Sequence, residues 1–365
     1  MSTAADCLIY GANGYTGELI ARDAVARGMR PTLAGRNQEA IRSLAEELQC
    51  PSRVFALDSV DEIARQLTDV RVVVHCAGPF SVTARPVMEA CLSSKTHYLD
   101  ITGELDVIEA AAGLNERALA ADVLLMPAVG FDVVPTDCLA ATLAAELPSA
   151  THLELAIDGL AAISPGTAKT IVENLPTGGR VRIDGRIERA PTAWKVRDIP
   201  FRDGARKAMT IPWGDVASAY HTTGIGNIEV YATRAPREIK WLRRLGWLLP
   251  LAGWRPVQAY LRRQVERRVQ GPTPEQLNAE RAHIWGRVYD DAGREVQATL
   301  ETPSGYSLTV STTLAVLERV LAGDAPEGFQ TPARAFGKDL ILQIPGTDLQ
   351  ISRPSAAPAA ASTTS

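Results

Sequence analysis

Three glycines spaced three residues apart, Gly11, Gly14 and Gly17, follow the short apolar run Cys7-Leu-Ile-Tyr10. The pattern suits a loop that holds a pyrophosphate with main-chain N–H groups. Gly11 permits a tight turn that a Cβ would obstruct, Gly14 lets the chain approach the phosphates, and Gly17 lets a following helix pack on the strand. A helix over residues 15–27 would then aim its positive end at the anion. Asn13, Tyr15 and Thr16 complete the loop and are candidate contacts beside the glycines.

The next strand candidate, residues 31–35, closes such a unit within the roughly 30 residues it requires. A site for NAD usually ends this strand in Asp or Glu, which accepts from the ribose 2′-hydroxyl. Here the strand ends Ala34-Gly35-Arg36-Asn37, with no carboxylate before Glu39. Arg36 can lay its guanidinium against adenine and donate to a 2′-phosphate, while Asn37 adds a neutral donor. The alternative is that Arg36 is a solvated loop residue and Asn37 caps the next helix. The expected ligand is NADP(H).

The elements that must position these residues alternate. Strand candidates at 8–10, 31–34, 53–57, 72–76, 97–100 and 123–126 are separated by helical patterns that include 39–48, 60–67, 84–93 and 105–121. Nearly continuous apolar strands suit a parallel sheet covered on both faces. Right-handed crossovers then give an α/β, doubly wound Rossmann domain over residues 1–148, with its ligand at the C-terminal strand edges. Loops leave that edge at Ala77-Gly78-Pro79, at Asp100 to Glu104, and at Gly130 to Asp137. Ala77, Gly78 and Pro79 are further cofactor candidates.

Beyond Pro148 the rhythm changes. Residues 151–158 alternate apolar and polar, 166–175 read as a helix, and β-like runs follow at 180–187, 193–199, 207–212 and 227–233. A hairpin pairs 284–289 with 296–302, and 307–312 extends it. This predicts an inserted or second α+β domain over 149–312, built on a mostly antiparallel sheet. Residues 313–321 form a helix, and 313–352 return to pack on the first domain. The tail 353–365 is Pro, Ala, Ser and Thr, too poor in large apolar groups to order itself.

The chain has 365 residues, enough for two domains, and a formal net charge of −4, which argues against a nucleic-acid partner. Five cysteines without C-x-x-C spacing and five scattered histidines predict neither a disulfide framework nor a metal site. With no signal-like start, the expected location is cytoplasmic, with contact to a membrane periphery held open.

The combination Tyr10-Gly-Ala-Asn-Gly-Tyr-Thr-Gly17, Ala34-Gly-Arg36, Ala77-Gly-Pro-Phe80, Tyr98-Leu-Asp-Ile-Thr-Gly-Glu104 and Gly130-Phe-Asp-Val-Val-Pro-Thr-Asp137 resembles the saccharopine dehydrogenase-like oxidoreductases. It is most similar to their bacterial branch, alongside the trans-acting enoyl reductases. The likeness continues through Ser164-Pro-Gly-Thr167, Pro212-Trp-Gly-Asp215, Tyr220-His221 and Gln330-Thr-Pro-Ala-Arg-Ala-Phe-Gly337, and so covers nearly the whole chain. It implies NADPH as hydride source and a substrate in an interdomain cleft, with reduction of a C=N or a C=C bond. The basic, tryptophan-bearing residues 237–268 suit a greasy substrate, so the expected reaction is C=C reduction, with C=N reduction the alternative. A saccharopine-forming site must hold three carboxylates. The cations nominated for that task, Arg85, Lys169, Arg180 and Arg182, show no sign in the sequence of converging.

The protein has to position the nicotinamide and supply a proton. Tyr220 and His221 are the candidate donors, since burial can tune a phenol or an imidazole. His221 could equally be satisfied by loop backbone. Asp100 and Glu104 could bind an amine or orient the ribose, or cap the helix at 105–121. Asp132 and Asp137 read as structural, and the N–H of Thr167 could hold an acidic group.

Residues 237–268 stand apart. They carry nine Lys/Arg against Glu238 and Glu266, a local +7 that leaves −11 for the remainder. Trp241, Trp247 and Trp254 lie among them, broken by Pro250, in a stretch too short to span a bilayer. Such a helical pair could lie on an anionic membrane, grip an acyl chain of a lipid-like substrate, or pack on its own domain or a second subunit as a homodimer. A dinucleotide-binding protein without turnover, docked through this segment, is the other class in play.

Overall fold

The computed structural model describes residues 5–159, 163–269 and 271–353; all of the expected tail except Arg353 lies outside them. In the first half, β1 (Ala5–Tyr10), α1 (Tyr15–Ala26), β2 (Thr32–Gly35), α2 (Gln38–Leu48), β3 (Ser52–Val54), α3 (Val60–Leu67) and β4 (Val70–His75) alternate. They continue as α4 (Phe80–Ser94), β5 (His97–Asp100), α5 (Leu105–Ala112), α6 (Asn115–Ala121), β6 (Leu124–Met126) and α7 (Val134–Glu146). The strands pair in parallel in the order β6-β5-β4-β1-β2-β3. Cys7 to Tyr10 and Val72 to Val74 are buried at every position, as a sheet covered on both faces demands. The single helix expected over 105–121 is two, because the chain turns at Gly113 and Leu114 before α6 begins.

The second half runs β7 (His152–Asp158), α8 (Pro165–Asn174), β8 (Gly179–Ile183), β9 (Arg186–Ala190), β10 (Val196–Phe201), β11 (Gly204–Thr210), α9 (Asp215–Thr223) and β12 (Asn227–Thr233). Then come α10 (Pro236–Leu245), α11 (Arg255–Arg268), α12 (Pro274–Ala279), β13 (Arg281–Tyr289), β14 (Glu295–Pro303) and α13 (Gly305–Ala322). The last elements are β15 (Gly328–Phe329), α14 (Pro332–Phe336) and β16 (Asp348–Ser352).

The second sheet is mixed. Antiparallel pairs flank a parallel one at its centre, where β12 lies beside β7 in register from Asn227–His152 to Ala232–Ile157. The run expected as one strand over 180–187 is the hairpin β8–β9. Asp184 and Gly185 both take positive φ at its turn, the Asp-Gly signature of a tight hairpin.

Residues 307–312 are not a strand. They belong to α13, where Leu308, Thr309, Val310, Thr312 and Thr313 are all buried. The hydroxyls of Thr309 and Thr312 donate to the carbonyls of Gly305 and Leu308, which lets β-branched residues sit inside a helix. The returning segment is also divided. Its β15 extends the first sheet beside β6, whereas β16 pairs with β14 in the second.

The two sheets meet across α7, whose residues Val134 to Ala140 are buried all round. Gly286 of β13 makes this contact feasible, since a Cβ there would fall 2.6 Å from Leu143 Cδ1. The core is consequently continuous from one sheet to the other. The loops on the C-terminal edge of the first sheet therefore have a rigid base.

Candidate active site

The turn after β1 has the geometry its glycines predict. Gly11 sits at φ +81° and donates to Ala34 O at 2.7 Å. A Cβ on Gly11 would come within 2.9 Å of Ala77 N, and one on Gly17 within 2.3 Å of Gly11 O. Asn13 and Gly14 are exposed, and Gly14 is the N-cap of α1. The first-turn N–H groups of Tyr15, Thr16 and Gly17 have no acceptor within the helix and lie at its positive end. This cradle would hold a pyrophosphate, and any side chain at Gly11 or Gly17 would fill it.

Arg36 is exposed at the end of β2, with no ion-pair partner among the described residues, and so is available to a 2′-phosphate. Asn37 takes the other role considered for it. Its side-chain oxygen accepts from Ala40 N at 3.2 Å and caps α2. The Tyr15 ring turns towards the second half: its hydroxyl donates to Pro272 O at 2.8 Å, and it meets the Tyr306 ring edge-on at 5.1 Å.

Ala77, Gly78 and Pro79 leave β4 beside this cradle, braced by Thr83, whose hydroxyl donates to Ala77 O at 2.7 Å. Glu104 caps a helix, though not the one that follows it. Its two carboxylate oxygens accept from Phe80 N and Ser81 N, each at 2.9 Å, at the start of α4.

Asp100 is fully buried. It accepts from Tyr98 Oη at 2.6 Å, Thr102 N at 2.9 Å and Ala128 N at 2.7 Å, and burial pushes its pKa up to about 6. Val129 N also donates to Asp100 O, and Ala128 is held at φ +61°. Asp100 therefore grips the chain as it leaves β6. It does not open on the cleft, so a direct catalytic role does not fit its position.

Three residues beyond Val129 on that loop is Asp132. It is half-buried and packed so closely that a Cβ on Gly103 would lie 2.4 Å from its Oδ2. Its carboxyl makes no hydrogen bond with any described residue, and burial pushes its pKa up to about 7. Its backbone, in contrast, is pinned: Trp213 Nε1 donates to Asp132 O at 2.6 Å, and Thr309 Oγ1 accepts from Phe131 N at 3.0 Å. Asp137, expected to be structural along with Asp132, is so. It accepts from Thr222 and from Ala333 N, joining α7, α9 and α14.

Tyr220 and His221 lie elsewhere. The start of α9 meets the cleft, where a Cβ on Gly214 would lie 3.2 Å from Gly103 O. Tyr220 and His221 are near its far end, five and six residues on from Asp215 and about 7–9 Å along the axis. The Tyr220 ring lies under the Arg182 guanidinium at 4.1 Å, and His221 packs edge-on against Phe329 with Nε2 3.4 Å from Glu109. Arg182 is itself buried and committed to Val216 O, Gly185 O and Glu109. This cluster ties β8 and α9 to α5, and the structure does not bring it to the glycine loop.

The opposite wall is α8. The Tyr306 hydroxyl accepts from Ser164 N at 2.5 Å and lies 3.1 Å from Thr167 Oγ1, which places the start of α8 beside Tyr15. Thr167 N is already taken by Ser164 Oγ, so it offers nothing to a substrate. Further along, Glu173 pairs with Arg262 at 2.8 Å and its charge reaches Glu104. Of the cations nominated for a tricarboxylate, Arg182 is committed as above, Arg180 faces Asp106 at 3.5 Å and Arg85 is exposed near Glu89, whereas Lys169 stands on α8 close enough to Glu173 for their charges to interact. Among the described residues no cluster has metal-binding composition.

Residues 7–126 match the profile of the saccharopine dehydrogenase NADP binding domain. An Arabidopsis thaliana saccharopine dehydrogenase-like oxidoreductase is 32% identical over 36% of this chain and 33% of its own length. A Mycobacterium tuberculosis protein that bears the provisional name trans-acting enoyl reductase is 29% identical over 36% of this chain and 33% of its own. The chain thus matches about a third of the length of these relatives. Among solved structures, the L-Glu-forming saccharopine dehydrogenase of Saccharomyces cerevisiae superposes with a TM-score of 0.67, at 13% identity, over 96% of this chain and 100% of that one. At that identity the likeness is one of fold.

Proposed function

We propose that this chain, whose residues 7–126 match the NADP binding domain of saccharopine dehydrogenase, is an NADPH-dependent oxidoreductase that reduces a C=C bond conjugated to an acyl group, with Asp132 as the proton donor. Bound NADPH would supply the hydride that adds to the electrophilic carbon. The chain's own residues do the rest. The glycine cradle and the N-terminus of α1 hold the pyrophosphate, and Arg36 holds the 2′-phosphate. The ends of β4, β5 and β6 lie on the side of β1 away from Arg36, where the other half of a dinucleotide falls.

The observation that carries the reading is the Asp132 carboxyl. It stands at that edge without a hydrogen-bond partner among the described residues, and burial keeps it protonated up to about pH 7. A group of that pKa can deliver its proton to the atom beside the one that takes the hydride, then regain it from water. Trp213 and Asp100 aim it: one fixes its carbonyl, the other fixes the loop from which it hangs.

Preference for C=C over C=N rests on the lining. Glu104 and Glu173 lie close enough for their charges to interact and Asp132 stands near them on the next loop, while Arg85, Arg180 and Arg182 are separated or already paired and Lys169 lies beside Glu173. Such a lining opposes a substrate with several carboxylates and accepts a neutral acyl chain. NADPH oxidation is the test, run with α,β-unsaturated acyl thioesters and, separately, with 2-oxo acids plus amino acids. Turnover with the thioesters supports the proposal. Turnover confined to the oxo-acid and amine pairs would replace it with imine reduction, and tight NADPH binding without turnover on either panel would point to a non-catalytic binding protein.

A further inference from the structure

The segment formed by α10, the 3-10 turns at Gly246–Gly253 and α11 exposes its aromatic side chains instead of burying them. Trp241, Trp247 and Trp254 are 68%, 75% and 68% exposed, and Leu251 and Tyr260 lie similarly open. Large aromatic groups seldom stay in water unless something covers them. Indole and phenol rings favour the boundary between water and lipid, where an apolar body and a polar tip are both satisfied. No helix among the described residues is long and apolar enough to cross a membrane, so contact would be along the surface.

Charge selects the occupant. All nine Lys/Arg between Arg237 and Arg268 are exposed, and only Arg262 has a carboxylate partner among the described residues. A second copy of this chain docked through the same face would set +7 against +7. An anionic lipid surface would instead be attracted here and repelled by the remaining −11 of the molecule, which fixes one orientation.

The same segment backs the cleft. Val265 of α11 packs on Ala168 and Val172 of α8, Gln258 Nε2 donates to Val172 O at 2.9 Å, and Arg262 pairs with Glu173. The helix that roofs the site is therefore supported from behind by the aromatic, basic surface.

We propose that residues 237–268 seat the protein on an anionic lipid bilayer through Trp241, Trp247 and Trp254 and the exposed arginines around them. Docking of this kind does not depend on which bond is reduced. Together with C=C reduction, it would bring a lipid-linked substrate to the roof of the cleft. The test is flotation of the full chain with phosphatidylcholine vesicles, with and without phosphatidylglycerol. Two variants are compared, Trp241→Ser/Trp247→Ser/Trp254→Ser and Arg243→Glu/Arg244→Glu/Arg263→Glu, with NADPH binding as the control for folding.

Flotation should require the anionic lipid and weaken as salt rises. Each variant should bind vesicles roughly tenfold or more weakly while its NADPH affinity is unchanged. Absence of flotation on anionic vesicles would overturn the proposal, as would vesicle binding unchanged in both variants. A concentration-dependent dimer that the tryptophan variant abolishes, without vesicle binding by the parent protein, would make the face a protein interface instead.

Discussion

Three acidic residues on neighbouring loops show how placement decides a role. Asp100 and Glu104 spend their oxygens on backbone N–H groups, so they build the site, whereas Asp132 keeps its carboxyl free. The sequence marks all three as strand-end acids, and nothing in residue type separates them. The difference is a matter of hydrogen-bond geometry, which only the folded loop supplies. Arg36→Ala should weaken NADPH binding by roughly tenfold to a hundredfold, the scale of a lost charge-assisted hydrogen bond, and leave NADH binding nearly unchanged. Titrating both coenzymes against the variant measures this, and an unaltered ratio would dismiss Arg36 as the phosphate contact. Tyr220→Phe and His221→Ala should leave turnover within a few-fold of the parent, since their cluster lies beyond the cleft. A loss of a hundredfold or more in either would restore them as donors.

At the scale of elements, the glycine turn was legible because each glycine answers a steric demand that the spacing alone reveals. Gly17→Ala would drive a Cβ to 2.3 Å from Gly11 O, so the variant should be less stable by about 1–3 kcal/mol and lose most NADPH affinity. Calorimetry with a coenzyme titration decides it. Glu104→Ala strips two N–H groups at the start of α4 of their acceptors, at a cost of about 1–3 kcal/mol, which denaturant unfolding would register. Where the sequence misled, a local pattern was overridden by burial. Residues 307–312 read as a strand, yet Leu308, Thr309, Val310 and Thr312 are buried together and the segment winds into α13. The parallel pairing of β7 with β12 was equally hidden, because it depends on a crossover that spans 68 intervening residues, between Asp158 and Asn227. The placement of Tyr220 and His221 was hidden for a similar reason. Their helix starts in the cleft and leaves it within two turns.

For the whole molecule, a carboxyl buried without a hydrogen-bond partner among the described residues makes stability depend on pH. Asp132 binds its proton more tightly in the fold, with a pKa near 7, than in the unfolded chain, whose value is 3.8. Its contribution is therefore complete below the unfolded value and is lost progressively as pH rises towards about 7. The melting temperature of the parent protein should fall relative to that of Asp132→Asn across this window and run parallel to it above. A constant difference across the window would mean that Asp132 has an ordinary pKa. The same proton is the centre of the proposed reaction. Its most direct test is the pH profile of NADPH oxidation with an α,β-unsaturated acyl thioester, measured for the parent protein and for Asp132→Asn. A general acid must be protonated to act, so the parent rate should decline as pH rises through about 7, and the variant should be slower by roughly 10²- to 10⁴-fold with unchanged NADPH affinity. An Asp132→Asn protein that retains both the rate and the decline would contradict the assignment of the proton to this residue.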